Sequence, residues 1–227
     1  MNILKGCSAV GVTKQTPLWI SQWVMGDLRY QNQRQTHRTA SSDPMPDDPQ
    51  SKEMVGISDG YNVYLYGELT HMASVYVQQC IAEAIVHGRR NQNLIISSGG
   101  GAVVSGLDIV SSIRSAQAQG IKIYGRVNSM AGSMAAYVLQ ACDWRSISPI
   151  AQLMLHGWEE SSHGVDKKAK AIQEQSTKQM EAILVGLVKE RSHLSQERID
   201  EIFADSYYKY FSADEALEAG LVDEVTW

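Results

Sequence analysis

Cysteine pairs, long apolar runs and basic clusters are all scarce in this sequence, and each scarcity removes a class of protein. Cys7, Cys80 and Cys142 share no pairing spacing and leave one cysteine over. No disulfide framework is therefore expected, and a reducing, cytoplasmic setting is. Cys80 and Cys142 fall in apolar periodic segments and read as small hydrophobes. The longest N-terminal apolar stretch is broken by Gly6, Gly11 and Lys14, so neither a signal-peptide core nor a membrane span is predicted. A formal net charge of -5 at pH 7 without a Lys/Arg cluster argues against nucleic acid as a partner. His71, His87, His163 and His193 show no ligand spacing with cysteine or with one another, so no metal is expected.

What remains is enough for one sizeable core, with 227 residues of which 44% are hydrophobic. From Val63 onward strands and helices alternate. Strands are expected over 63–67, 94–97 and 121–127, helices over 72–87, 104–118 and 134–141, and short strands over 145–155. Such alternation implies an α/β core with a mainly parallel sheet. One long helix is then predicted from Asp166 to about Arg191, with Ile172, Met180, Ile183, Leu184, Leu187 and Val188 on one apolar stripe. Residues 31–60 are polar and carry Asp43-Pro-Met-Pro-Asp-Asp-Pro49, the composition of a linker. Leu18 to Met25 before it is too apolar for an idle tail. The domain reading is an N-terminal extension over 1–60 and a single body over 61–227.

Three segments carry chemistry. Gly132-Ser133-Met134-Ala135-Ala136 places a serine between a strand-like run and an apolar helix, where helix N–H groups favour a developing oxyanion. Leu153-Met154-Leu155-His156 brings a histidine to the end of another apolar run. A nucleophile and its base are the core of acyl-transfer chemistry. Leu94-Ile95-Ile96 runs into Ser97-Ser98-Gly99-Gly100-Gly101, and three glycines in a row are read as a turn whose backbone approaches a ligand closely. Phosphate is the rival ligand for such a turn, but no Gly-Lys-Ser/Thr follows and no acid stands at dinucleotide spacing, so no cofactor is expected.

In this order, Ser-Ser-Gly-Gly-Gly-Ala-Val-Val-Ser-Gly (97–106), Gly-Ser-Met-Ala-Ala (132–136), Met-Leu-His (154–156) and Phe-Ser-Ala-Asp-Glu-Ala-Leu-Glu-Ala-Gly-Leu-Val-Asp (211–223) resemble the Clp protease proteolytic subunit. The resemblance runs from about Val63 to Val225. It implies the ClpP/crotonase-type fold, with flanking helices and a protruding handle helix that interleaves two rings. It also implies Ser133 as nucleophile, His156 as general base, and the N–H groups of Gly101 and Met134 as oxyanion hole. Gly100, Ala102 and Val103 would align the substrate backbone as an added strand. The implied partners are unfolded polypeptide, sister subunits in a homo- or hetero-oligomeric ring, and an AAA+ unfoldase.

The chain departs from the family pattern in three places. The family's Asn-Ser-Pro-Gly-Gly is Ser-Ser-Gly-Gly-Gly here, and its His-Gln-Pro is His156-Gly157-Trp158. The family's triad aspartate, two residues before the aromatic of its Phe-x-Ser-Ala, is replaced by Tyr208, and the nearest acid is Asp205. Asp205 is the expected third residue if the helix from Ser195 to about Ser206 ends differently from the family's; a Tyr208 hydroxyl, a backbone carbonyl or water are the alternatives. Ser129 rivals Ser133 on its upstream match, but the apolar helix and the Ser148-Pro149 turn fall correctly only from Ser133. Lys167, Lys168 and Lys170 raise a Ser-Lys dyad, which His156 matches less ambiguously. The functional expectation is a serine endopeptidase acting in an oligomeric chamber. A viral capsid-maturation protease of the same fold, a catalytically silent ring subunit and a crotonase-like acyl-CoA enzyme are the other readings.

Overall fold

The alternating burial of Gln92, Leu94, Ile96, Ser98 and Gly100 along one strand shows how this chain builds its sheet, one face of each strand turned to a common core. The computed structural model describes residues 61–157, 167–204 and 208–227. The extension over 1–60, His163 and Asp205 lie outside the described residues. In chain order the elements are β1 (Asn62–Leu69), α1 (His71–Val86), β2 (Asn91–Gly101), α2 (Val103–Ala118), β3 (Lys122–Gly132), α3 (Met134–Gln140), β4 (Trp144–Ile147) and β5 (Gln152–His156). Then follow α4 (Lys167–Lys189), α5 (Gln196–Ile202), β6 (Tyr208–Ser212), α6 (Ala213–Glu218) and β7 (Glu224–Val225).

The sheet runs β1-β2-β3-β4-β7, all parallel, and β5 pairs with β3 while β6 pairs antiparallel with β5. This is the α/β, mostly parallel, helix-flanked architecture that the alternation implies. Local chemistry sets the helix starts. Thr70 caps α1 by accepting from Ala73 N, and Ser212 and Glu215 close a reciprocal capping box at α6. Every residue of α3 is buried, so this short apolar helix sits at the centre of the core. Among the described residues no helix is long and apolar enough to cross a membrane.

Three elements differ from the sequence expectations. β2 does not stop before its glycines. It continues to Gly101, because β1 pairs alongside to Leu69 after a register shift between Tyr66 and Glu68. β3 extends from 127 to Gly132, because it changes partner: its first half pairs with β4 at Tyr124 to Val127 and its last three residues pair with β5. α5 ends at Ile202, short of 206, with Phe203 as its cap.

The long helix α4 also divides differently. Leu184, Leu187 and Val188 are buried in this chain's own core, whereas no residue from Glu174 to Ile183 is buried and Ile183 is 50% exposed. The apolar stripe therefore belongs to two surfaces, not one.

Beneath β4 and β7 a buried ion network ties the C-terminal segment down. The Arg145 guanidinium donates to both Asp223 carboxylate oxygens at 3.1 and 2.7 Å and to Gln140 Oε1 at 2.6 Å. Arg191 reaches the same carboxylate at 3.0 and 2.9 Å. Burial works to raise the Asp223 pKa, but the Arg145 hydrogen bonds and the two positive charges outweigh it and hold the carboxyl below the ordinary range.

Candidate active site

The fork in β3 is what makes the site. Gly132 pairs with Met154 of β5, and the next N–H, that of Ser133, donates to Met154 O at 2.8 Å. His156 lies two residues past Met154, so it projects from the same face of β5 as Met154 does. The result is a direct contact, with His156 Nε2 2.7 Å from Ser133 Oγ. For Nε2 to accept the hydroxyl proton, the neutral imidazole carries its own proton at Nδ1.

Ser133 is strained. With φ 50° and ψ -126° it is the one non-glycine residue of positive φ among the described residues. It stands immediately before α3, whose first N–H groups have no partner within the helix. Such conformations cost of order 1–3 kcal/mol and persist where surrounding structure imposes them. Here Gly100 does so: a Cβ on Gly100 would stand 2.6 Å from Ser133 Cβ, 2.8 Å from Gly132 O and 3.1 Å from Met134 N. Gly100 thus lies against the serine and the helix start, at a strand end where the sequence suggested a turn.

Around that strand end the backbone groups are partly committed. Gly100 N donates to Ser98 Oγ at 3.1 Å, and Ala102 N to Leu69 O at 2.9 Å. Gly101 is exposed, with its backbone pressed against Leu69, and half-buried Val103 opens α2. Ser129, the rival serine, donates instead to Ser97 Oγ at 3.0 Å. Cys142 is excluded as a nucleophile, since burial, with the Asp143 charge beside it, pushes its thiol up to about 12. Lys167, Lys168 and Lys170 stand on the first turn of α4, and their side chains fall outside the described residues.

Two tyrosines at the site escaped the sequence reading or were only half-read. Tyr137 Oη donates to the His156 carbonyl at 2.6 Å. Burial raises the phenol pKa, which keeps this group protonated and a donor. Tyr137 sits four residues after Ser133, one turn along α3, so the helix that begins at the serine also grips the backbone of the histidine. That spacing was available in the sequence. Tyr208 stacks on the imidazole, with ring centroids 4.8 Å apart and planes 27° from parallel. It follows from register, because Tyr208 is paired directly with His156 across β5 and β6.

A mostly parallel α/β sheet that sets a strained serine against a histidine is the class of protein this geometry defines. The family model for Clp protease matches residues 56–227. The chain belongs to the Clp protease family, and so to a family of peptidases.

Proposed function

We propose that this chain is a serine endopeptidase that cleaves unfolded polypeptide by Ser-His catalysis. The observation that carries the reading is the 2.7 Å approach of His156 Nε2 to Ser133 Oγ at a strained strand-to-helix turn. Ser133 Oγ attacks the peptide carbonyl as His156 takes its proton. The oxyanion settles on the N–H groups of Gly101 and Met134, fixed before the reaction begins. His156 then returns the proton to the leaving amine, and water, activated by the same imidazole, releases the acyl group. With the Gly100 and Ala102 N–H groups engaged internally, alignment of an extended substrate falls to the Gly101 to Val103 segment's remaining backbone groups.

The same reading includes a ring-shaped chamber that excludes folded proteins, fed by an ATP-driven unfoldase, in the cytoplasm. It is supported by the family and by the uncovered apolar side chain of Ile183 on α4. The test is intact-mass spectrometry of the full chain after treatment with a fluorophosphonate. The wild type gains one phosphonyl group and Ser133→Ala gains none. A wild type that takes no label overturns the reading in favour of a silent ring subunit, and label retained by Ser133→Ala but lost in Ser129→Ala moves the nucleophile.

A further inference from the structure

The face of Tyr208 lies over the imidazole of His156 at the position where the family pattern carries an acid. In an antiparallel pair, residues directly opposite project to the same face with Cβ atoms roughly 4.5–5.5 Å apart. His156 and Tyr208 are such a pair, at the last rung of the β5 and β6 ladder. Their stacking is thus imposed by backbone register, and the His156 backbone is held in addition by Tyr137, which donates to its carbonyl at 2.6 Å. One tyrosine sets where the histidine backbone is, and the other sets how its ring is turned.

We infer that Tyr208 is a positioning residue for catalysis, its aromatic face taking over part of the acid's task by orienting the His156 ring. The inference rests on the serine peptidase reading and deepens it. An acid beside a catalytic histidine does two things: it fixes the ring's direction and it favours the imidazolium formed as the serine gives up its proton. A π face does both more weakly. It confines the ring to one plane, and its negative quadrupole attracts the cation lying over it. The phenol hydroxyl is not needed for either effect, which separates this role from a hydrogen-bonded Tyr-His pair. The plane of the imidazole decides whether Nε2 points at Ser133 Oγ, so a freed ring loses near-attack geometry rather than substrate affinity.

The experiment compares full-length wild type, Tyr208→Phe and Tyr208→Ala in two assays: the rate of fluorophosphonate labelling, and kcat and KM on a fluorogenic peptide. Tyr208→Phe keeps the stack and stays within about twofold of wild type. Tyr208→Ala loses on the order of tenfold to a hundredfold in labelling rate and in kcat, with KM within about twofold. Ring-proton resonances of His156 move upfield under an aromatic face, so they match in wild type and Tyr208→Phe and shift downfield in Tyr208→Ala. Tyr208 is 45% exposed, so the truncation leaves no buried cavity. Should the alanine variant melt below the assay temperature, Tyr208→Leu, with bulk but no π face, replaces it in the same comparison. An alanine variant that labels at the wild-type rate overturns the inference, as does a phenylalanine variant as slow as alanine. A wild type that takes no label overturns the peptidase reading and this inference with it, a result distinct from either.

Discussion

Gly100 and Ser133 approach so closely that a Cβ on the glycine would stand 2.6 Å from the Cβ of the serine. Gly100 also holds φ +109°, a backbone region L side chains rarely adopt. Gly100→Ala is therefore expected to push the serine and the Met134 N–H out of line. The labelling rate should fall by about 100-fold or more, and stability by at least the 1–3 kcal/mol or so typical of such strain. Labelling kinetics and a thermal melt check both, and an alanine variant that labels normally would remove Gly100 from the site.

The strain at Ser133 itself can be weighed. Ser133→Ala and Ser133→Gly both remove the hydroxyl and the bond to His156, but only glycine accepts φ 50° and ψ -126° without cost. Relief of about 1–3 kcal/mol, less about 0.5–1 kcal/mol for glycine's greater freedom when unfolded, leaves Ser133→Gly more stable than Ser133→Ala by about 1 kcal/mol. Denaturant titration of the two inactive variants reads the difference. Equal midpoints would mean that the turn is relaxed.

Asp205 was the acid nearest to the family's position in the sequence, and Tyr208 now occupies the rung opposite His156. Asp205→Asn is expected to lower kcat by less than about tenfold. Loss of a true triad acid as its amide costs about 10⁴-fold, so a drop of that size would return the third role to Asp205.

The Asp223 carboxyl, depressed below its ordinary value of 3.8, links the fold to acid. Because the folded-state pKa is the lower one, the contribution is complete above the unfolded value near pH 4 and fades as pH falls through the folded value. Asp223→Asn leaves Arg145, almost wholly buried, without its counter-charge. A loss of about 3–5 kcal/mol at neutral pH is expected, together with a flatter acid limb as pH falls below about 4. Chemical denaturation across pH measures both, and an unchanged acid limb would show that other carboxylates govern it.

Ser133 and His156 were legible because each sits at the end of a short apolar run, where strand chemistry and turn chemistry are written locally. The parallel sheet was legible for the same reason. The extension of β2 through its glycines was not, since glycine's weak strand preference was overridden by pairing with Leu69, a tertiary effect. Nor was the stack of Tyr208 on His156, which depends on an antiparallel register between strands separated by a long helix. Periodicity grouped Ile183 with Leu187 on one stripe of α4, but it could not say which neighbour would cover each of them.

That last distinction gives the assembly model its test. Leu187 is 7% exposed within its own chain and Ile183 is 50% exposed, so only Ile183 reports on a partner. A charge at Leu187 enters the chain's own core, and Leu187→Glu is expected to lower the melting temperature and leave little folded protein. A charge at Ile183 meets water in an isolated subunit, so Ile183→Glu should leave the subunit itself folded. In a ring contact the same charge becomes buried and unpaired, at a cost of about 3–5 kcal/mol, enough to divide the assembly and depress peptidase activity with it. Size exclusion with light scattering, run beside a peptide assay, separates the outcomes. A wild-type chain that is monomeric and fully active at micromolar concentration would leave a free-standing Ser-His hydrolase in place of the chamber.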